Sequence, residues 1–281
     1  MGERPTIRVT FHGVRGSTPC HGPSTAKYGG NTSCVSIRVD GNRPILLDLG
    51  TGLRYFGATW SRSHDEPLDA IALVTHLHWD HVQGLPFFAP MLRSGSRVEI
   101  FGPVQDDGRS IAEAFRDTLR PPTFPVTLDA FPGEFVFHEL GDSEFAIDGY
   151  RVTSRLVPHI GSTVGYRIEI GDVVVAYVSD HQQPVDGSFA LPDGVRDLAA
   201  GADLLIHDSQ YSPVEFEKKA HWGHCTADFA VSIARAAGAK KVALFHHDPD
   251  RSDDDLDALT WDTGSAGTRV VVAREGTSIE F

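Results

Sequence analysis

Apolar and polar positions follow two rhythms along this chain. Continuous or alternating apolar stretches closed by Gly, Asn or Pro read as strands. The early ones are TIRVTFHG (6–13), SCVSIRVDG (33–41), PILLDLG (44–50), LDAIALVTH (68–76) and VEIFG (98–102). Later, YRVTSRLVPH (150–159), TVGYRIEIG (163–171) and VVVAYVSD (173–180) read as paired strands, and ADLLIHD (202–208) and KKVALFHH (240–247) as buried ones. Helical spacing marks TGLRYFGATW (51–60), DGRSIAEAFRDTL (107–119), stopped by Pro121 and Pro122, and TADFAVSIARAAGA (226–239). Two sheets packed face to face with helices outside fit this order. No linker or internal repeat divides the chain, so residues 1–281 are read as a single domain. Four of the apolar strands run into His or Asp, at His76, His159, Asp180 and His246–His247. In α/β folds ligands gather beyond the carboxyl ends of strands, where rigid strands make polar residues converge.

Composition narrows the function classes. Acidic residues outnumber basic ones by 38 to 25, a net charge of −13, which repels nucleic-acid phosphates at long range. Much of this acidity lies in DPDRSDDDLD (248–257), read as a solvated turn and helix start. The 3 cysteines form no CxxC pair, which argues against a disulfide framework and a cysteine zinc knuckle. Apolar runs such as VVVAYV (173–178) are too short to span a membrane, and the first residues lack a signal-peptide core. A cytoplasmic protein is expected. Histidine stands out, with 14 copies.

Three of them fall in THLHWDH (75–81). In extended backbone His76 and His78 project from the same side and can hold one ion together. Asp80 and His81 follow where a helix can begin, and point toward a second position. Imidazole and carboxylate without thiolate suit Zn²⁺, Mn²⁺ or Fe²⁺. A His-rich polar turn is the plain alternative, but H-x-H-x-D-H is a specific pattern.

H-x-H-x-D-H behind an apolar strand resembles the signature of the metallo-β-lactamase fold superfamily, and the resemblance runs along almost the whole chain. It implies an α/β fold, a four-layer αββα sandwich of two mixed β-sheets flanked by helices. Asp48 in ILLDLGTG resembles the aspartate that supports the ligands from behind. His159 in LVPHIGSTVGYRI, Asp180 in AYVSDH and His246 in ALFHHDP resemble the remaining ligands. The resemblance thus implies two divalent ions, zinc foremost. His76, His78 and His159 would hold one, Asp80, His81 and His246 the other, and Asp180 would bridge them. A hydroxide between the metals is then the implied nucleophile. His247 is set aside, because the superfamily uses the first histidine after the strand. His181 is read as exposed in preference to a substrate contact, and His12, His21, His64 and His138 as structural or solvated.

Three further stretches resemble RNase Z and small cyclic-phosphate phosphodiesterases: FHGVRGSTP (11–19) with KYGGNTSCVSI (27–37), ADLLIHDSQY (202–211), and HWGHCTADFAVSIARAAGAKKVALFHHD (221–248). The likeness pairs His224 with Asp208. A protonated histidine held by a carboxylate can protonate a leaving alkoxide, although His224 can also merely cap the helix near Thr226. His221 lies a turn too early for that role. The chain departs from the pattern at Cys225, where a hydroxyl residue is usual, and at Asp208, where RNase Z often has Glu. It also lacks the basic insertion with which RNase Z grips tRNA. With the charge of −13 this points to a small or cyclic, nucleotide- or phosphoribose-like phosphodiester rather than nucleic acid. Arg15, Ser17, Thr18, Asn31 and Thr32, in the GSTP and GGNTS loops, either contact that substrate or only make turns. The rivals are a thioester or lactone hydrolase on the same metals, an RNase Z-like RNA endonuclease, and a non-catalytic metal-bound sensor. A homodimer is the assembly considered.

Overall fold

The structure is a computed structural model that describes residues 6–259 and 267–281. Every apolar run read as a strand forms one. In chain order these and their neighbours are β1 (Ile7–Gly13), β2 (Cys34–Val39), β3 (Ile45–Leu47), β4 (Asp69–Leu73), β5 (Arg97–Pro103), β6 (Glu134–Leu140) and β7 (Ser143–Ile147). They continue as β8 (Tyr150–Leu156), β9 (Val164–Ile170), β10 (Val173–Val178), β11 (Leu204–Asp208), β12 (Lys241–Phe245), β13 (Arg269–Val272) and β14 (Ser278–Glu280). The helices are α1 (Leu53–Ser63), α2 (Trp79–Val82), α3 (Ile111–Thr118), α4 (Asp193–Ala199), α5 (Pro213–Lys219), α6 (Ala227–Ala236) and α7 (Asp253–Asp257).

The strands make two seven-stranded sheets, ordered β14-β1-β2-β3-β4-β5-β6 and β13-β12-β11-β10-β9-β8-β7. Both are mixed in the same way. β14 to β3 and β7 to β10 pair antiparallel, whereas β3 to β6 and β10 to β13 pair parallel. Central strands are apolar on both faces because both are covered. In β4, Ile71 and Leu73 face the other sheet and join Phe11, Ile37, Tyr166, Ile206 and Phe245 in the core between the layers. Ala70 and Ala72 of the same strand turn to the outer cluster of Phe56, Phe88, Ile100 and Phe115, which α1 and α3 complete. α4 and α6 cover the second sheet through Leu198, Phe229 and Ile233 against Ala176, Leu205 and Leu244. Four layers result, as the sequence implied.

Local signals fix the helix ends. Ser110 opens α3 with a reciprocal capping box to Glu113, and Thr226 caps α6 by accepting from the Phe229 amide at 3.1 Å. Among the described residues no helix is long and apolar enough to cross a membrane. The acidic stretch 248–257 does form a turn and α7, but it is not wholly solvated. Asp248 is buried and bonded by Lys219, because this turn packs against α5.

Candidate metal centre

The side chains singled out in the sequence leave strand ends of both sheets and converge. β4 runs on into His76 and His78, and α2 begins at once with Asp80 and His81 on its buried side. His159 follows β8, Asp180 follows β10, Asp208 ends β11, and His246 follows β12. His224 precedes α6, held in the segment before the Thr226 cap.

Two groups form around Asp180. His76 Nε2 lies 2.9 Å from His78 Nδ1, and His159 Nε2 lies 3.3 Å from the same atom. His76 and His159 both face Asp180 Oδ2, at 3.8 and 3.7 Å. On the other side His81 Nε2 and His246 Nε2 lie 3.2 Å apart, each near Asp80 Oδ2 at 3.3 and 3.1 Å. Both also face Asp180 Oδ1, at 3.1 and 3.4 Å. One carboxylate thus turns one oxygen to each group. Three imidazole nitrogens aimed at one another cannot all be satisfied by mutual hydrogen bonds, since each neutral ring has one donor and one acceptor. Asp180 Oδ1 is itself buried without a hydrogen-bond donor. A cation in each group would take up these lone pairs, so the donor set fits divalent metals, and the absence of thiolate suits Zn²⁺, Mn²⁺ or Fe²⁺.

The electrostatics agree with that fit. Burial drives His76 well below the usual histidine range and His159 down to about 4, so both rings stay neutral and free to ligate. Against burial, Asp180 and Asp80 raise His81, and Asp180 and the Asp80 hydrogen bond raise His246. Asp80 and Asp180 sit below the carboxylate range despite burial, because histidines surround them. Around this centre a second ring of groups fixes these side chains. Asp48 is fully buried and accepts from the Thr75 amide at 2.7 Å, from the Tyr177 hydroxyl at 2.8 Å and from His81 Nδ1 at 2.8 Å. His159 Nδ1 donates to the Gly223 carbonyl at 2.6 Å. Asp48 and His246 both hold φ +57°, an uncommon conformation for residues with a side chain.

Asp208 and His224 meet. His224 Nδ1 lies 2.9 Å from Asp208 Oδ2, whose carboxylate also accepts from the amides of His181 at 3.0 Å and Gln210 at 2.9 Å. His224 Nδ1 is 3.7 Å from Asp180, so the pair borders both groups.

A further expectation is corrected, at His181, and several positions left open are settled. His181 is buried, not exposed, and packs on His207 and Phe229 because the chain after β10 dives under α6. Arg15 is fully buried and donates to the carbonyls of Gly29, Asp248 and Arg251, so it ties loops together and meets no substrate. Asn31 bonds Glu275, and Thr32 bonds Thr51. Ser17 is exposed, and its amide donates to Asp80 Oδ2 at 2.6 Å. His247 turns away from the centre and donates from Nε2 to the Ala273 carbonyl at 2.9 Å. His221 is exposed.

The sequence reading missed Gln182 and Gln183. Gln182 Nε2 donates to the Ala220 carbonyl at 2.8 Å, and its Oε1 accepts from the Gly223 amide at 2.8 Å. Gln183 Oε1 accepts from the Thr226 amide and hydroxyl at 3.1 and 3.0 Å. Together they clamp the segment that carries His224 beside Asp180. Their position just after the Asp180–His181 pair was the available signal.

The family model for the beta-lactamase superfamily domain matches residues 43–247, which spans β3 to His247 and includes both groups around Asp180 and the His224–Asp208 pair. The chain belongs to the metallo-β-lactamase superfamily. It is a metal-dependent hydrolase of that superfamily. Ribonuclease Z of Natronomonas pharaonis is 27% identical over 282 residues, covering 86% of this chain and 87% of its own. The metallo-β-lactamase fold protein YhfI from Bacillus subtilis superposes with a TM-score of 0.73 at 19% identity, over 99% of this chain and 100% of its own. The short form of human tRNase Z superposes with a TM-score of 0.70 at 21% identity, over 97% and 98% of the two chains. These superpositions carry the shared superfamily fold and no reaction.

Proposed function

We propose that this metallo-β-lactamase superfamily member is a phosphodiesterase acting on small or cyclic phosphodiesters of the nucleotide or phosphoribose kind. In this reading His76, His78 and His159 hold one divalent cation, Asp80, His81 and His246 hold a second, and Asp180 reaches both. Zinc is the leading metal, since imidazole and carboxylate in closed groups are its usual ligands. Bound there, the cations supply a nucleophile at neutral pH and positive charge for the phosphoryl oxygens.

The chain's own residues do the rest. Asp48 holds the His81 ring so that Nε2 faces the centre, and the Gly223 carbonyl does the same for His159. The observation that carries the reading is the His224–Asp208 contact of 2.9 Å beside Asp180. Asp208 takes Nδ1, which leaves Nε2 of His224 to give a proton to a departing alkoxide. A thioester hydrolase has no comparable need for this pair, because a thiolate departs without a proton donor.

A second reading, an RNA endonuclease, is favoured by the ribonuclease Z relatives. The net charge of −13 favours the small substrate. The test compares His224→Ala on esters with alkoxide and p-nitrophenolate leaving groups. We expect roughly 10²- to 10⁴-fold loss on the alkoxide ester, the scale of general acid catalysis, and a much smaller loss on p-nitrophenolate, which departs unprotonated. Equal losses on both esters would overturn the assigned proton transfer. Full activity on thioesters or lactones with none on phosphodiesters would overturn the substrate class.

A further inference from the structure

A cavity of about 480 Å³ opens beside the His76 and His78 group, and His81 and His246 are not among its lining residues. Its far wall is built by the turn after β5, by α3 and by the loop after β8. Those elements bring Asp106, Asp107 and Asp117 to the wall, against one cation, Arg109. Arg109 is already engaged, donating to Asp107 at 2.7 Å and to Asp117 at 2.9 Å. Asp106 accepts from the amide and hydroxyl of Ser162 at 3.1 and 2.5 Å. Arg120, just outside the lining, also pairs with Asp117 at 3.2 Å, so three aspartates less two arginines leave the wall an excess of one negative charge, and no lysine lines it. At the mouth Trp79 and Ile160 present apolar faces, 59% and 52% exposed. Trp79 sits inside the H-x-H-x-D-H stretch, next to His78, so its indole lies directly beside the centre.

We propose that this cleft receives the organic group of the substrate and selects a compact, uncharged or cationic one with a flat apolar face and hydroxyl or amine donors. A single nucleoside has these properties: a base to stack on Trp79 and donors for the aspartates. Positive charge for one phosphate comes from the centre, and the cleft offers none for another. A second phosphate held there meets like charge across a partly enclosed space, where focusing strengthens the repulsion. The aspartates thus act as specificity determinants against polyanions. This inference rests on the phosphodiesterase reading and fixes its substrate class.

The test measures kcat/KM of the metal-loaded protein on a ladder of substrates at low salt and at about 0.15 M, where the screening length is about 8 Å. The ladder is bis(p-nitrophenyl) phosphate, a dinucleoside monophosphate, the same compound with an added terminal phosphate, and a short oligoribonucleotide. We expect kcat/KM to fall about tenfold for each phosphate added beyond the first, within the range of such field effects. Turnover of the charged members should rise with salt, the reverse of a nucleic-acid binder. Asp106→Asn and Asp117→Asn should shift the ratio of rates toward the oligoribonucleotide, and Trp79→Ala should raise KM for the dinucleoside more than it lowers kcat. An oligoribonucleotide cleaved as well as the dinucleoside, at a rate that falls with salt, would overturn this inference and leave the phosphodiesterase reading standing. No turnover of any phosphodiester would overturn that reading, and this one with it.

Discussion

Asp48→Asn tests how a fully buried carboxylate behind the centre sets the state of a ligand in front of it. One Asp48 oxygen accepts from the Thr75 amide at 2.7 Å, and the other from the Tyr177 hydroxyl and His81 Nδ1, each at 2.8 Å. With the Thr75 amide and the Tyr177 hydroxyl donating to it, Asp48 accepts the Nδ1 proton of His81 in a hydrogen bond, so a cation that displaces the ring's second proton would find the Nε2 lone pair beside Asp80 and Asp180. Asparagine has nearly the same shape but replaces one oxygen with a donor. If its NH₂ faces Thr75, two buried donors oppose each other. If it faces His81, it donates to Nδ1 and drives the ring proton to Nε2, against the metal. The second arrangement is easier, because a ring can change tautomer and a backbone amide cannot. The hydrogen bond lost to a charged group is worth about 1.5–3 kcal/mol, and altered partners of this kind weaken metal binding about 10- to 100-fold. Calorimetric titration of the metal-free protein with Zn²⁺ reads this directly. We expect one binding event to weaken on that scale while the other persists and the far-ultraviolet circular dichroism is unchanged. Two binding events at wild-type affinity would refute the tautomer argument.

Gly16→Ala should cost the same group its metal by a steric route. A Cβ there would lie 2.3 Å from His246 Nδ1 and 2.6 Å from Gln210 Oε1, so metal analysis should find one ion per chain fewer than wild type. Gln183→Leu strands the amide and hydroxyl of Thr226 at the start of α6, which should destabilise the fold by about 1–3 kcal/mol in urea unfolding. It should also lower kcat by loosening His224. Burial, aided by Arg38, lowers His12 to about 4, so between pH 6.5 and 4 the unfolded chain binds a proton there that the folded chain refuses. Stability from this group is therefore complete above pH 6.5 and lost on acidification. The stability of wild type relative to His12→Gln should fall by about 1.4 kcal/mol per pH unit across that window, measured by urea unfolding.

The sequence pattern reached the interior of the fold and failed at its margins. The strands it missed, β6, β7, β13 and β14, are the four edge strands of the two sheets. An edge strand lies at the rim of the layers, where cover is incomplete. Their residues are mostly half-buried or exposed, and such apolar runs as they carry are short, as at Val270–Val272 of β13. The centre was legible for a different reason. His76, His78, Asp80 and His81 fall within one short stretch, and each remaining partner stands directly after an apolar strand. Arg15 stayed undecided and His181 was misread because their surroundings come from distant chain. Two of the carbonyls that hold Arg15 belong to Asp248 and Arg251, and no local pattern announces them. Gln182 and Gln183 escaped notice since glutamine is ordinarily a surface residue, and only the packing of 220–226 gives these two a task.

The most direct test of the proposed phosphodiesterase is hydrolysis of bis(p-nitrophenyl) phosphate by protein stripped with chelator and then reloaded with Zn²⁺ or Mn²⁺. We expect no turnover after stripping, recovery as metal is restored, and no recovery in His76→Ala or Asp180→Ala at the same metal concentration. A wild-type protein that binds metal yet hydrolyses nothing, or one that keeps its activity in chelator, would contradict it.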